Sequence, residues 1–465
     1  GRRSPVNHTS FLPDRAQNIP LAALLGALSY ALDLTEGQPV GHCVRATWIG
    51  MQVGRRMGLN QDQLWELYYT ILLKDLGCSS NAARICELYL SDDLAFKRDA
   101  KTMGSSLPKV LGFILSHTGR RSALGDRLRA LLNIMREGES IVDDLIQTRC
   151  HRGAAIARNL RFPTGVSEGV HSLDEHWDGQ GRPDRLAGTA IPINARIALL
   201  AQVADVFHAA AGREAALTEV RARKGSWLDP EAVACFEAVA ADAAFWATLA
   251  SDGIADVVFA LAPARSTITV DEDYLDDIAR AFAQIVDSKS PFTSGHSERV
   301  ALYADMVAGE MGYPPARRRW LRRAALLHDI GKLGVSNAIL DKNGKLDDEE
   351  WRLMRRHAAL SEEILSRVPV FCAMARIGGA HHERLDGRGY PRGLRGDEIE
   401  EETRIVSVAD VFDALTADRP YRAAMPVAKA FGIMRADVGT AFDPVCFAAL
   451  ERVIEASEGR LAMVA

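Results

Sequence analysis

No C-x-x-C pair occurs in the chain, strand-like alternation of apolar and polar residues is nearly absent, and no apolar run approaches the ~18 residues that a membrane span requires. Each gap removes a class of protein. Seven cysteines, scattered and odd in number, suit reduced thiols in a cytoplasm better than a disulfide framework, and Cys78 and Cys86 read as small apolar fillers. The formal net charge of -5 offers no basic face for a nucleic-acid polymer. The run "RRRWLRR" from Arg317 is interrupted by Trp320 and Leu321 and reads as the solvated side of a helix. The nearest approach to a span, "LAALLGALSYALDL" from Leu21, is short and rich in small residues, so a packed helix is expected there, and the first ten residues hold no apolar leader core.

What the chain does contain is helical pattern. Its 465 residues, 48% hydrophobic and 25% charged, are ordinary for two or three globular domains. Apolar positions recur at three-and-four spacing, as in "EAVACFEAVAADAAFWATLA" from Glu231. A Pro-containing turn near Ala262 to Thr267 precedes an acidic helix start, "TVDEDYLDDIARAF", and predicts a boundary between domains at 18–264 and 265–465. The expected fold class is all-α.

The two halves carry one pattern. "LLKDLGCSS" from Leu72 repeats "LLHDIGKLGV" from Leu326, and a single register pairs His42 with His296, Met57-Gly58 with Met311-Gly312, Asp75 with Asp329, and Gly77 with Gly331. Further along, "CHRGAAIARNL" from Cys150 lines up with "RHAALSEEIL" from Arg356, "WDGQGRP" from Trp177 with "LDGRGYP" from Leu385, and "VADVF" from Val203 with "VADVF" from Val408. This pairs His151 with His357 and Asp205 with Asp410, and places an insertion of about fifty residues between Cys86 and Cys150 of the first copy.

In the second copy, His296, His328, Asp329, His357, His381, His382 and Asp410 are spread over five helical or helix-edge segments. A lone helical histidine is usually a hydrogen-bonded or surface group, but His328-Asp329 and His381-His382 are adjacent pairs beside apolar runs. Imidazole with carboxylate suits iron, manganese, zinc or nickel, and the absence of cysteine from the set argues against a closed structural zinc site. Seven ligands exceed one tetrahedral ion, so two cations sharing a bridging carboxylate is the economical arrangement. Gly331 would release the helix and return Lys332 toward the site.

"GHSERV" at Gly295 to Val300, "HDIGK" at His328 to Lys332, "HHERLDGRGYP" at His381 to Pro391 and "ADVFDALTADRPYR" at Ala409 to Arg422 together resemble an HD-GYP domain, a subgroup of the HD-type metal-dependent phosphohydrolases. The resemblance spans about residues 270 to 460. It implies an all-helical domain that hydrolyses cyclic di-GMP to pGpG and on to GMP in some members, using water activated between two metals. By position, His296, His328, Asp329 and Asp410 would hold one metal, and Asp329 would bridge to a second held by His357, His381 and His382. Phe292 stands where some members carry a glutamate for a third metal, so two ions are expected, iron or manganese ahead of nickel or zinc. Lys332 would sit beside the scissile phosphate, and Tyr390, Arg419 and Arg422 would contact the nucleotide. Arg422 is more often lysine in the family, which keeps the charge and changes the donor geometry.

Two other readings stand beside this one: another cyclic dinucleotide such as 3′,3′-cGAMP as substrate, or a non-catalytic nucleotide receptor that docks a GGDEF-type cyclase on its GYP loop. Homodimerisation is a further expectation. In the first copy Lys74 replaces His328, Cys78 replaces Lys332, Leu173 and Asp174 replace His381 and His382, and "GRP" replaces "GYP". No metal pair can assemble from that set; Lys74 is expected instead to satisfy Asp75 and Asp205 as a buried ion pair. A regulatory or dimerisation role and a purely covering role carry equal weight for this copy.

Overall fold

The capped, amphipathic segments become helices. In Glu272–Asp287 the Asp271 side chain accepts from the Tyr274 N–H, Glu272 and Asp273 complement the positive end of the helix, and Tyr274, Ile278 and Phe282 are fully buried on one face. Each such side chain contributes roughly 1.5–3 kcal/mol of burial free energy. Asp348–Ser366 starts with a reciprocal cap between Asp347 and Glu350. The computed structural model describes residues 19–89, 92–101, 107–119, 124–264, 268–417 and 423–464, so residues 265–267 of the expected boundary lie outside the described residues. Among the described residues the regular structure is helical, with only isolated β-bridges. No single described helix is long and apolar enough to cross a membrane. Pro230–Ala240 and Ala243–Leu249 pass that test only as a pair, and they meet at a 92° bend.

Two tandem helical copies share one continuous apolar core, from Ala22 to Ile454. Each copy places its first helix in the seam between them. Leu21–Thr35 packs on Ile330–Gly334 and Asp348–Ser366 of the second copy, while Glu272–Asp287 packs on Cys78–Asn81 and Leu124–Asn159 of the first. The seam is also polar: Tyr30 Oη donates to Glu363 Oε1 at 2.9 Å under the Arg367 guanidinium, and Tyr274 Oη donates to the Leu160 carbonyl at 3.2 Å.

Equivalent contacts correct the register read from the sequence. His42 Nδ1 meets Asp205 Oδ2 at 2.7 Å, with Arg45 bidentate on the same carboxylate; His296 Nδ1 meets Asp413 Oδ2 at 2.7 Å, with Arg299 bidentate there. Asp205 is therefore the counterpart of Asp413, and Gln202 stands in the place of Asp410. The repeated "VADVF" is displaced by about one helical turn, a shift that apolar periodicity cannot detect. Likewise Gly77 abuts the Arg149 carbonyl as Gly331 abuts that of His357, so Arg149 occupies the place of His357. His151, expected there, is exposed and lies against the His171 ring.

Cations fill the first copy's center. Lys74 Nζ pairs with Asp75, both fully buried. Lys101 Nζ lies 2.7 Å from Glu36 and 4.0 Å from Asp75, and Arg149 pairs with Asp174. Burial would raise the Asp75 carboxyl, yet Lys74 and Lys101 hold it below the usual carboxylate range. The expected Lys74–Asp205 pairing is corrected: Asp205 is taken by His42 and Arg45. Glu36, Asp75 and Cys78 converge as a possible ligand group, but the ammonium groups already neutralise it and burial pushes the Cys78 thiol well up.

Lys74→Met leaves the buried Asp75 without its closest cation. The expected loss of stability is about 3 kcal/mol, read as a lowered midpoint of thermal unfolding; an unchanged midpoint would contradict the pairing.

Candidate metal centre

Helix Pro315–Leu327 ends at His328, and the chain turns through Asp329 into the 3₁₀ segment Ile330–Gly334. Glycine is required inside that turn. A Cβ on Gly331 would run into the His357 carbonyl and the Ser361 nitrogen of Asp348–Ser366, and the Gly331 N–H donates to Ser361 Oγ at 2.8 Å. This close approach aims Asp329 at His357. His296 opens helix His296–Glu310 behind the left-handed Gly295 (φ 68°). His381 and His382 follow helix Cys372–Ala380, and Asp410 projects from Glu401–Thr416.

These side chains meet in two groups, His296, His328 and Asp410 in one and Asp329, His357, His381 and His382 in the other, with the ligand atoms of each group within 4.8 Å of one another. Asp329 joins them. Its Oδ2 lies 3.4 Å from His296 Nε2 and 3.3 Å from His328 Nε2, while its Oδ1 lies 3.4 Å from His357 Nε2 and 3.5 Å from His381 Nε2. Asp410 Oδ1 is 3.4 Å from His296 Nε2, and His382 Nε2 is 3.1 Å from His357 Nε2.

The outer nitrogens fix the rings. Nδ1 of His328 meets the Ala325 carbonyl at 2.6 Å, that of His357 the Met354 carbonyl at 2.7 Å, and that of His381 the Gly378 carbonyl at 2.9 Å. Nδ1 is thus the donor, and Nε2 presents its lone pair inward. His296, His328 and His381 Nε2 and Asp329 Oδ1 are buried atoms without a hydrogen-bond partner, an arrangement that costs free energy unless a cation is coordinated. The donor set, imidazole and carboxylate with no thiolate, fits divalent metal.

Electrostatics point the same way. Burial disfavours a charge on His296, but the Asp329, Asp410 and Asp413 carboxylates raise it to about 10. Burial opposes ionisation of Asp329 and Asp410 as well, and their histidine neighbours hold both well below the usual carboxylate range. Burial draws His357 down to about 3 and holds His382 well below its ordinary value. The first group attracts positive charge; in the second, burial keeps His357 and His382 uncharged.

Lys332 Nζ pairs with Asp329 and is partly exposed. Tyr390 stacks on His382 at 4.8 Å, and the Arg355 guanidinium covers its ring at 5.2 Å. Arg419 and Arg422 lie outside the described residues. Ala417 and Ala424, on either side of them, line a cavity of about 570 Å³ with Phe292, Arg299 and Tyr303. Sequence reasoning missed Asp413 and Glu383. Asp413 sits one turn beyond Asp410 on the same helix face and orients His296. Glu383 is buried and accepts the N–H groups of Arg392 (2.7 Å) and Leu394 (2.9 Å), which pins the loop carrying Tyr390.

The family model for the HD domain matches residues 129–232 and 280–446, more than half of the chain. The chain is 54% identical over 440 residues to the 3′3′-cGAMP-specific phosphodiesterase 3 of Vibrio cholerae serotype O1, across 94% of this chain and 96% of that protein. A crystal structure of a cyclic GMP-AMP specific phosphodiesterase of V. cholerae superposes with a TM-score of 0.65 at 48% identity, covering 94% of this chain and 97% of that one. The cyclic di-GMP phosphodiesterase response regulator RpfG of Xanthomonas campestris pv. campestris is 40% identical over 185 residues, 39% of this chain and 49% of that protein. With two copies of the fold in tandem and the complete His-Asp and GYP motifs in the second, the chain belongs to the HD-domain family, in its HD-GYP branch.

Proposed function

We propose that the second copy, residues 265–465, hydrolyses a cyclic dinucleotide and that 3′,3′-cGAMP, not cyclic di-GMP, is the preferred substrate. The observation that carries this choice is extent of likeness. The relative specific for 3′,3′-cGAMP matches 94% of the chain, first copy included, whereas the response regulator named for cyclic di-GMP matches 39%. The cyclic di-GMP preference expected from the motifs gives way to the alternative, because those motifs define the phosphate chemistry and leave the bases unread. The first copy, 18–264, we read as non-catalytic.

A pair of divalent ions, manganese or iron in our reading, would supply Lewis acidity and an acidified water when bound. This chain's residues do the rest. Asp329 would hold the two ion sites at a fixed separation, one carboxylate oxygen toward each. The Nδ1 contacts of His296, His328, His357 and His381 lock those four imidazoles so that they need not reorganise as charge develops. Lys332, a cation at the rim of the buried center, would stabilise charge on the phosphate oxygens. Tyr390, held by Arg355 and the Glu383-pinned loop, would position the nucleotide beside His382.

Incubating the manganese- or ferrous-loaded protein with each cyclic dinucleotide and separating the products tests the reading. Linear product is expected faster from 3′,3′-cGAMP; binding of both nucleotides without turnover would favour the receptor instead. Asp329→Ala should abolish binding of both ions by metal analysis, and an active, metal-loaded variant would refute the bridge. Lys332→Ala should keep both ions and lose roughly 10²-fold or more in turnover.

A further inference from the structure

Helix Asp93–Lys101 belongs to the segment that only the first copy carries, and it lies outside the residues matched by the HD-domain model. Its first residue nevertheless ends inside the second copy. Asp93 is fully buried; its Oδ2 receives Lys289 Nζ at 3.1 Å, and its Oδ1 accepts from Ser336 Oγ at 3.0 Å and from the Asn337 N–H at 2.7 Å. Asn337 Nδ2 closes the ring by donating to the Lys289 carbonyl at 2.6 Å. Lys289 begins the stretch that leads into Phe292 and His296, and Ser336, which caps helix Asn337–Leu340, directly follows the turn that runs from His328 through Asp329 and Lys332 to Val335. One carboxylate therefore ties together the two segments whose spacing sets His296 against Asp329.

One turn later the same helix does the equivalent thing in its own copy. Lys97 Nζ donates to the Thr35 carbonyl at 3.1 Å and the Cys78 carbonyl at 2.7 Å. In the repeat register Thr35 is the counterpart of Lys289, and Cys78 that of Lys332. Asp93 and Lys97, four residues apart on one helix face, clasp the same junction in both copies, with opposite charges.

We propose that Asp93 is a positioning residue that the first copy supplies to the second, fixing the distance between the His296 segment and the His328–Lys332 turn so that the first ion site and Lys332 are correctly placed. The first copy is thereby part of the catalytic apparatus without touching substrate. This deepens the phosphodiesterase reading and rests on it for its turnover arm.

The test uses the full chain with Asp93→Ala, the near-isosteric Asp93→Asn, Lys289→Met and the Asp93→Ala/Lys289→Met double variant. Turnover, thermal midpoint and binding of manganese alone, followed by electron paramagnetic resonance, are measured on each. Asp93→Ala is expected to lower kcat roughly ten- to a hundredfold with KM little changed and to weaken manganese binding about tenfold. Asp93→Asn is expected to fall between it and the parent and serves where Asp93→Ala does not fold. The double variant should cost no more than the worse single one, because the pair acts as a unit. A lowered thermal midpoint with unchanged kcat and manganese affinity in the folded protein would overturn the proposal, as would additive losses. Should the parent protein turn over no cyclic dinucleotide, the phosphodiesterase reading fails by itself, and manganese affinity still decides the clasp.

Discussion

The two oxygens of Asp329 face opposite ways, Oδ2 toward His296 and His328 and Oδ1 toward His357 and His381, at separations between 3.3 and 3.5 Å. Everything nearby serves that division. Gly331 lets the turn approach Asp348–Ser366 closely enough for Oδ1 to reach His357. Three imidazoles spend Nδ1 on backbone carbonyls and His296 spends its own on Asp413. What remains inside is a set of buried lone pairs and carboxylates whose only stable company is positive charge.

The first copy shows what happens when that charge comes from the chain. Lys74 and Arg149 stand at the positions of His328 and His357; Lys74 pairs with Asp75, the counterpart of Asp329, and Arg149 with Asp174, which stands in the place of His382. His42 keeps its Asp205 and Arg45 partners, yet its inner Nε2 has no hydrogen-bond partner. Because an internal ammonium needs no metal supply, this copy can brace the seam whether or not the second is loaded. Its extra helix, through Asp93 and Lys97, reaches the same junction in each.

The fold class and the histidines and aspartates that converge in the second copy were legible in the sequence because both depend on local pattern: three-and-four spacing for helices, and adjacent His-Asp and His-His pairs beside apolar runs for the cluster. Register was less legible. "VADVF" matched in text, but a displacement of about one turn keeps the same helix face toward the core, so only the His42–Asp205 and His296–Asp413 contacts could align Asp205 with Asp413. Asp413 itself escaped notice because it touches the back of His296, where no ligand motif points. The Lys289–Asp93 pair joins residues 196 apart, and nothing in either local stretch announces the other. Substrate choice is the least legible of all, since the motifs carry residue types suited to metal and phosphate and none that distinguishes one base from another.

The central proposal is that one carboxylate spaces two cations in the second copy while the first copy holds none. A crystal structure of the manganese-loaded protein with anomalous data measures this directly. Two anomalous peaks are predicted, one among His296, His328 and Asp410 and one among His357, His381 and His382, each within coordination distance of a different oxygen of Asp329, with no peak beside Lys74. A single peak, or a pair that Asp329 does not bridge, would contradict the account.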